Sequence, residues 1–190
     1  DEVYAEMIPN LARQAKIVPA EDSAIVSTDW INGRRSPNVD YSLKGTITGL
    51  ALSSTAPLIY KSLVEATAFG AKAIIEQFQN NGGNLKEVIA VGGISQKSPY
   101  VMQVLADVIG MPIKVIETRE ACALGVAMCA SVVAGVYPNL VEAQESMKMK
   151  VSTVYTPNTR NHDHYCKEYQ KSLNLRLRYP SDAADDAPRG

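Results

Sequence analysis

Val88-Ile-Ala-Val-Gly-Gly-Ile-Ser-Gln-Lys-Ser-Pro99 is the stretch on which the fold turns. Four apolar residues, three of them β-branched, follow the polar pair Lys86-Glu87 and read as a short buried strand. Gly92 and Gly93 then let the backbone turn sharply and leave no Cβ in the way of an approaching group. Ser98 suits an N-cap and Pro99 the first position of a helix. A strand, a glycine pair and a helix start together offer free backbone N–H groups to a phosphate. The same stretch also reads as a tight β–α turn with no ligand. It is neither a GxxxxGK[ST] phosphate loop nor a GxGxxG fingerprint.

Working outward, strand candidates alternate with helix candidates. Residues 2–16 carry apolar positions at helical spacing, with Pro9 expected to kink or divide the helix. Residues 24–28 and 45–51 read as strands on either side of a turn-rich loop with Asn32-Gly33 and Ser36-Pro37. Residues 54–80 form a long helix, with Thr55 placed to cap it and Asn80-Asn-Gly-Gly83 to stop it. A helix from Pro99 to Ile109 ends at Gly110, and Ile113-Lys-Val-Ile116 is another strand. Residues 120–134 are apolar nearly all round, which predicts a buried helix with Gly125 allowing close backbone contact. Helices over 140–149 and 160–178 complete the order, and residues 181–190 read as disordered. Such alternation implies a layered α/β domain with a partly parallel sheet.

Composition narrows the function. Nineteen Lys and Arg against twenty Asp and Glu give a net charge of −1, which argues against a nucleic-acid binder. No apolar run is long enough for a membrane span, and the start lacks the basic residues of a signal peptide. With Asp1 in place of Met, the chain reads as a fragment. Three cysteines without CxxC spacing favour neither a disulfide framework nor a zinc site. Cys122 and Cys129 read as buried small residues in a reducing compartment, which points to the cytoplasm. His162 and His164 read as solvated rather than as metal ligands.

Read together, several spaced segments resemble the C-terminal domain of the FGGY carbohydrate kinases. They are Asp29-Trp30-Ile-Asn32-Gly33-Arg34-Arg35-Ser36-Pro37, Lys44-Gly45-Thr-Ile-Thr-Gly49-Leu50 and Glu65-Ala-Thr-Ala-Phe-Gly70. Gly92-Gly93-Ile-Ser-Gln-Lys97-Ser98, Met102-Gln103, Ala106-Asp107 and Ala123-Leu-Gly125-Val-Ala127 follow in order. The resemblance implies an actin-like, ribonuclease-H-like α/β fold, a mixed sheet flanked by helices. It divides the chain into an N-terminal helical segment (1–22), the nucleotide-binding domain (23–156), a C-terminal helix (157–180) and a tail (181–190). It further implies ATP with Mg²⁺ held through the phosphates, an N-terminal kinase domain as partner, and room for a homodimer. The Asp29-Trp-x-Asn-Gly segment points within the family to L-ribulose as the sugar, with the same half of a kinase for another sugar or polyol (xylulose, glycerol), or a non-catalytic actin-like interaction module, as the alternatives.

By the same resemblance, Gly92, Gly93 and Ile94 line the nucleotide, Ser98 stands near adenine where relatives often carry Asn, and Lys97 touches phosphate or is merely a surface lysine. Gly49, Ser53 and Ser54 would form the opposite wall. Leu58 departs from the polar residue that relatives show at that helix start. Trp30, Asn32 and Arg34 either reach the cleft and help recognise the ketose or anchor their loop on the core. No catalytic base or metal ligand is assigned in this chain. The resemblance places the catalytic aspartate upstream of Asp1, and the fragment is expected not to phosphorylate sugar alone.

Overall fold

A computed structural model describes residues 2–20, 24–118 and 120–178; the tail expected to be disordered lies outside them. The elements in chain order are α1 (Glu2–Ile17), β1 (Val26–Ser27), β2 (Ile47–Thr48), α2 (Ala56–Asn80), β3 (Val88–Ala90), α3 (Gly93–Lys97), α4 (Pro99–Ile109), β4 (Ile113–Ile116), α5 (Ala121–Val133), α6 (Leu140–Met147), β5 (Val151–Tyr155) and α7 (Thr159–Arg178).

β3 and β4 pair in parallel, as a strand–helix–strand unit requires, and β5 joins antiparallel to β4. β1 and β2 form a separate antiparallel pair, Val26 opposite Thr48 and Ser27 opposite Ile47. Both are shorter than their sequence runs. Gly49 adopts φ +79°, and a Cβ there would overlap the Ala24 carbonyl, so the backbone leaves the strand at that point.

α4 is the hinge of the core because it is apolar on two sides. Met102 and Ala106 pack on Ile113 and Val115 of β4. Val104 and Val108 face Val64, Ala68 and Phe69 of α2 and Tyr165 and Tyr169 of α7. Each fully buried valine of this kind contributes about 1.5–3 kcal/mol. One polar hub crosses this packing. The Asp107 carboxylate, 2% exposed, accepts from Gln103 Nε2, Asn158 N and Asn161 Nδ2, each at 2.8 Å. It ties α4 to the start of α7.

Five expectations need correction. α1 is one continuous helix despite Pro9, and it packs on α2 with Ala15 fully buried. α5 has no buried residue: its main packing is on α6, Val126 and Val133 are 68% and 90% exposed, and no atom stands near a Cβ built on Gly125. Cys122 and Cys129 on that helix are exposed as well. The two histidines are half-buried: His162 Nδ1 donates to the Asp107 carbonyl (2.8 Å), and the His164 ring meets Tyr165 edge-on. Finally, Thr55 and Ser98 occupy N-cap positions without side-chain capping bonds.

Candidate nucleotide site

The polar stretch after the glycine pair is itself a helical turn, α3, which runs almost directly into α4. Gly92 takes φ +92°, a conformation that favours glycine, and neither Gly92 nor Gly93 has any atom within 4 Å of where a Cβ would stand. The space is open. The N–H groups at the start of α3 have no partner within the helix, as in any helical first turn.

Beside Gly93 lies a hollow of about 830 Å³, within the range of about 300–1,000 Å³ typical of small-molecule sites. One wall comes from α3 and α4: Gly93, Ile94, Lys97, Ser98, Pro99 and Tyr100. The other comes from α1: Ile8, Pro9, Ala12, Arg13 and Lys16. Apolar side chains make most of the slot, and three cations stand on its walls. Tyr100 is held by stacking on Tyr60, with ring centroids 6.2 Å apart. The Ser98 side chain does not cap α4; burial pushes the neighbouring Tyr60 hydroxyl up from its ordinary pKa, and Ser98 pulls it back.

A smaller cavity of about 300 Å³ lies behind, sharing Lys16, Pro99 and Tyr100 with the first. Its floor carries Lys61, only 2% exposed, whose Nζ donates to Glu65 Oε1 (2.5 Å) and to the Ala20 carbonyl (3.2 Å). Burial pushes the Glu65 carboxyl up from its ordinary pKa, while the Lys61 ammonium pulls it back. Burial, reinforced by the Glu65 carboxylate, likewise pushes the Tyr100 and Tyr165 hydroxyls up.

The hollow therefore brings together Gly93, Ile94, Lys97 and Ser98, with Gly92 at the turn before them. Gly49, Ser53 and Ser54 do not line this hollow, whose other side is α1. Ser54 instead accepts the Ala51 N–H through its hydroxyl (2.9 Å). Nothing local in the sequence marks α1 as a wall, because its stripe of Ile8, Ala12 and Lys16 reads as an ordinary helix face.

The other group of expected residues lies elsewhere in the fold. The Trp30 ring is 3% exposed, with the guanidinium groups of Arg34 and Arg176 at 5.3 and 5.4 Å from its centroid. Arg34 Nε donates to the Asn38 carbonyl (2.7 Å), and Asn32 is exposed. Asp29 pairs with Arg176 (3.1 Å), and burial pushes its carboxyl up. A Cβ on Gly70 would overlap the Asp29 carboxylate, which explains a glycine in the middle of α2. Trp30 and Arg34 thus anchor the loop on the protein itself. Among the described residues no cluster of three or more His, Cys, Asp or Glu could hold a metal, and no helix is long and apolar enough to cross a membrane.

Residues 3–134 match the sequence profile of the FGGY family of carbohydrate kinases, C-terminal domain. The chain is 46% identical over 157 residues to a ribulokinase of Vibrio parahaemolyticus, covering 83% of this chain and 28% of that protein. It is 37% identical over 168 residues to a ribulokinase of Bacillus licheniformis, covering 85% and 30%. In structure it is similar to a xylulose kinase from Rhodospirillum rubrum, with TM-score 0.78, 22% identity, and 91% of this chain and 34% of that one covered. The ADP-containing glycerol kinase of Plasmodium falciparum gives TM-score 0.70 at 18% identity, covering 93% and 36%. The structural likeness establishes an actin-like, ribonuclease-H-like α/β fold. The chain spans about a third of the length of these relatives.

Proposed function

Because the chain belongs to the FGGY family of carbohydrate kinases, as its C-terminal domain, we propose that it is the ATP-binding part of an enzyme that phosphorylates L-ribulose to L-ribulose 5-phosphate. The observation that carries this reading is the hollow against Gly93, flanked by cations, with no protein atom near a Cβ at either glycine of the turn. A flat base suits the apolar slot, and a phosphate chain suits the backbone N–H groups of the turn together with Lys97. L-ribulose is favoured over xylulose, gluconate or glycerol by the 46% identity to a ribulokinase, against 18–22% to kinases for those other substrates.

Phosphoryl transfer needs positioned phosphates, offset charge and a base for the attacking hydroxyl. Residues at the glycine turn would hold the phosphates. Mg²⁺ carried on those phosphates would offset their charge. The base and most sugar contacts belong to a partner, the enzyme's N-terminal domain. An apolar landing surface fits that partner, since α5, Ile89 of β3 and Val91 just after it expose their side chains. The cytoplasm is the compartment in which three free thiols would stay reduced.

The test is a calorimetric titration of ADP into this chain and its Gly93→Val variant. A Cβ at Gly93 meets no protein atom, so the variant should fold normally while its side chain projects into the hollow. Binding by the parent and loss of at least tenfold in affinity by the variant are expected. Equal binding by both would reject the site. A sugar panel assayed on the full-length enzyme should show the highest kcat/KM for L-ribulose.

A further inference from the structure

We propose that Cys166 is a modification site, a nucleophilic thiol that forms a mixed disulfide with a small disulfide compound. It stands on α7, beyond residues 3–134 matched by the family profile, and does not line the hollow at Gly93. His162 and Cys166 are four residues apart on α7, so their side chains share one face of that helix. Cys166 Sγ lies 3.6 Å from His162 Nε2 and 3.7 Å from Nζ of Lys72, which reaches across from α2.

The direction of each bond follows from what each partner has to give. His162 Nδ1 is 2.8 Å from the Asp107 carbonyl, which only accepts, so Nδ1 carries the hydrogen. In the neutral ring Nε2 then keeps its lone pair and faces the thiol. The Lys72 ammonium only donates, so Sγ accepts from it and gives its own hydrogen to Nε2. A nucleophile thus sits beside a base that a third group orients, the arrangement that activates a thiol. Lys72 is held at the sulfur by the Val108 carbonyl (3.3 Å) and by the Tyr169 ring, 5.1 Å from its centroid. Gly110 leaves room for the imidazole, since a Cβ there would overlap the His162 ring.

In the reaction, the Cys166 proton passes to His162 Nε2 and the thiolate attacks one sulfur of the disulfide. A new S–S bond forms as the old one breaks. The other sulfur leaves as a thiolate and takes the proton back from the imidazolium. Cys166 is oxidised, the leaving half is reduced, and a free thiol from solution reverses the step. The Lys72 ammonium offsets the negative charge on sulfur. Cys166 is half-buried, which restricts the reactant to a slender one. Cys122 and Cys129 are exposed, but among the described residues neither sulfur is bonded to a cation or an imidazole.

The test treats the 190-residue chain with hydroxyethyl disulfide at pH 7, quenches with acid and reads the modified fraction of each cysteine by mass spectrometry of its peptides. Cys166 should react about tenfold or more faster than Cys122 and Cys129 in the folded chain, and at the same rate as they do in denaturing guanidinium. His162→Gln and Lys72→Met, each confirmed folded by circular dichroism, should slow Cys166 about fivefold or more while Cys122 keeps its rate. A rate at Cys166 no higher than at the two exposed thiols of the folded chain would overturn the assignment. So would a Cys166 rate that either variant leaves unchanged.

Discussion

Replacing Lys61 by Met isolates the buried ion pair beneath the site. Lys61 and Glu65 are 2% and 7% exposed, one turn apart on α2, with Nζ 2.5 Å from Oε1. Methionine keeps the length of the side chain but leaves the Glu65 carboxylate with the Tyr165 hydroxyl as its remaining named partner. Removing one member of a buried pair costs about 3–5 kcal/mol, because the other charge is stranded in low dielectric. For a chain of this size, each kcal/mol lowers Tm by about 2–4 °C, so the drop should be about 6–20 °C.

The pH dependence gives an internal check. Burial already holds the Glu65 carboxyl above its ordinary pKa, and losing Lys61 raises it further. A carboxyl whose folded pKa exceeds its unfolded value contributes fully below the unfolded pKa and loses that contribution as pH rises through the folded one. The deficit of Lys61→Met should therefore shrink from pH 8 toward pH 5. Adding Glu65→Leu removes the stranded charge and should recover most of the loss. Thermal denaturation followed by circular dichroism at both pH values reads all three effects. A single variant within about 1 kcal/mol of the parent at pH 8 would refute the reasoning, given the expected penalty. So would a double variant as unstable as the single one.

Other outcomes follow from the same packing. Gly70→Ala should drive Asp29 off Arg176 and loosen the Trp30 sandwich. A loss of roughly 1–3 kcal/mol is expected, with a red shift of fluorescence from the chain's single tryptophan; unchanged emission would count against it. Burial pushes the hydroxyls of Tyr100, Tyr165 and Tyr169 well above the usual tyrosine range. Their folded pKa values exceed the unfolded ones, so stability should fall as pH rises above about 10. Absorbance at 295 nm should show these three silent until the chain unfolds, and early ionisation of all nine tyrosines would contradict this.

Much of the fold was legible where local pattern and tertiary role coincide. β3, the glycine pair and α4 were readable because a β-branched run, two glycines and a Ser-Pro start each have one common structural use. β5 was overlooked, although Val151-Ser-Thr-Val-Tyr155 alternates and is rich in β-branched residues; its outward-facing apolar side chains carry no burial stripe. α5 shows the converse failure. Its composition declares a need for burial but cannot say what supplies it, and among the described residues α6 is its main neighbour. Lys61 is hidden in the same way, since a lysine reads as surface until Glu65 and the Ala20 carbonyl surround it. Of the candidate site residues, Gly93, Ile94, Lys97 and Ser98 line one hollow and come from one contiguous motif. The α1 wall was not, because it depends on a helix some eighty residues away in sequence docking opposite the turn. Gly49 carries a structural need that its sequence does not show, because a Cβ there would overlap the Ala24 carbonyl.

The most direct measurement is a crystal structure of the chain with ADP. The account predicts density between α1 and the Gly92–Gly93 turn, with phosphate oxygens within hydrogen-bond distance of the turn's amides. Density for ADP at any other surface, with the hollow left open or filled by protein, would contradict it.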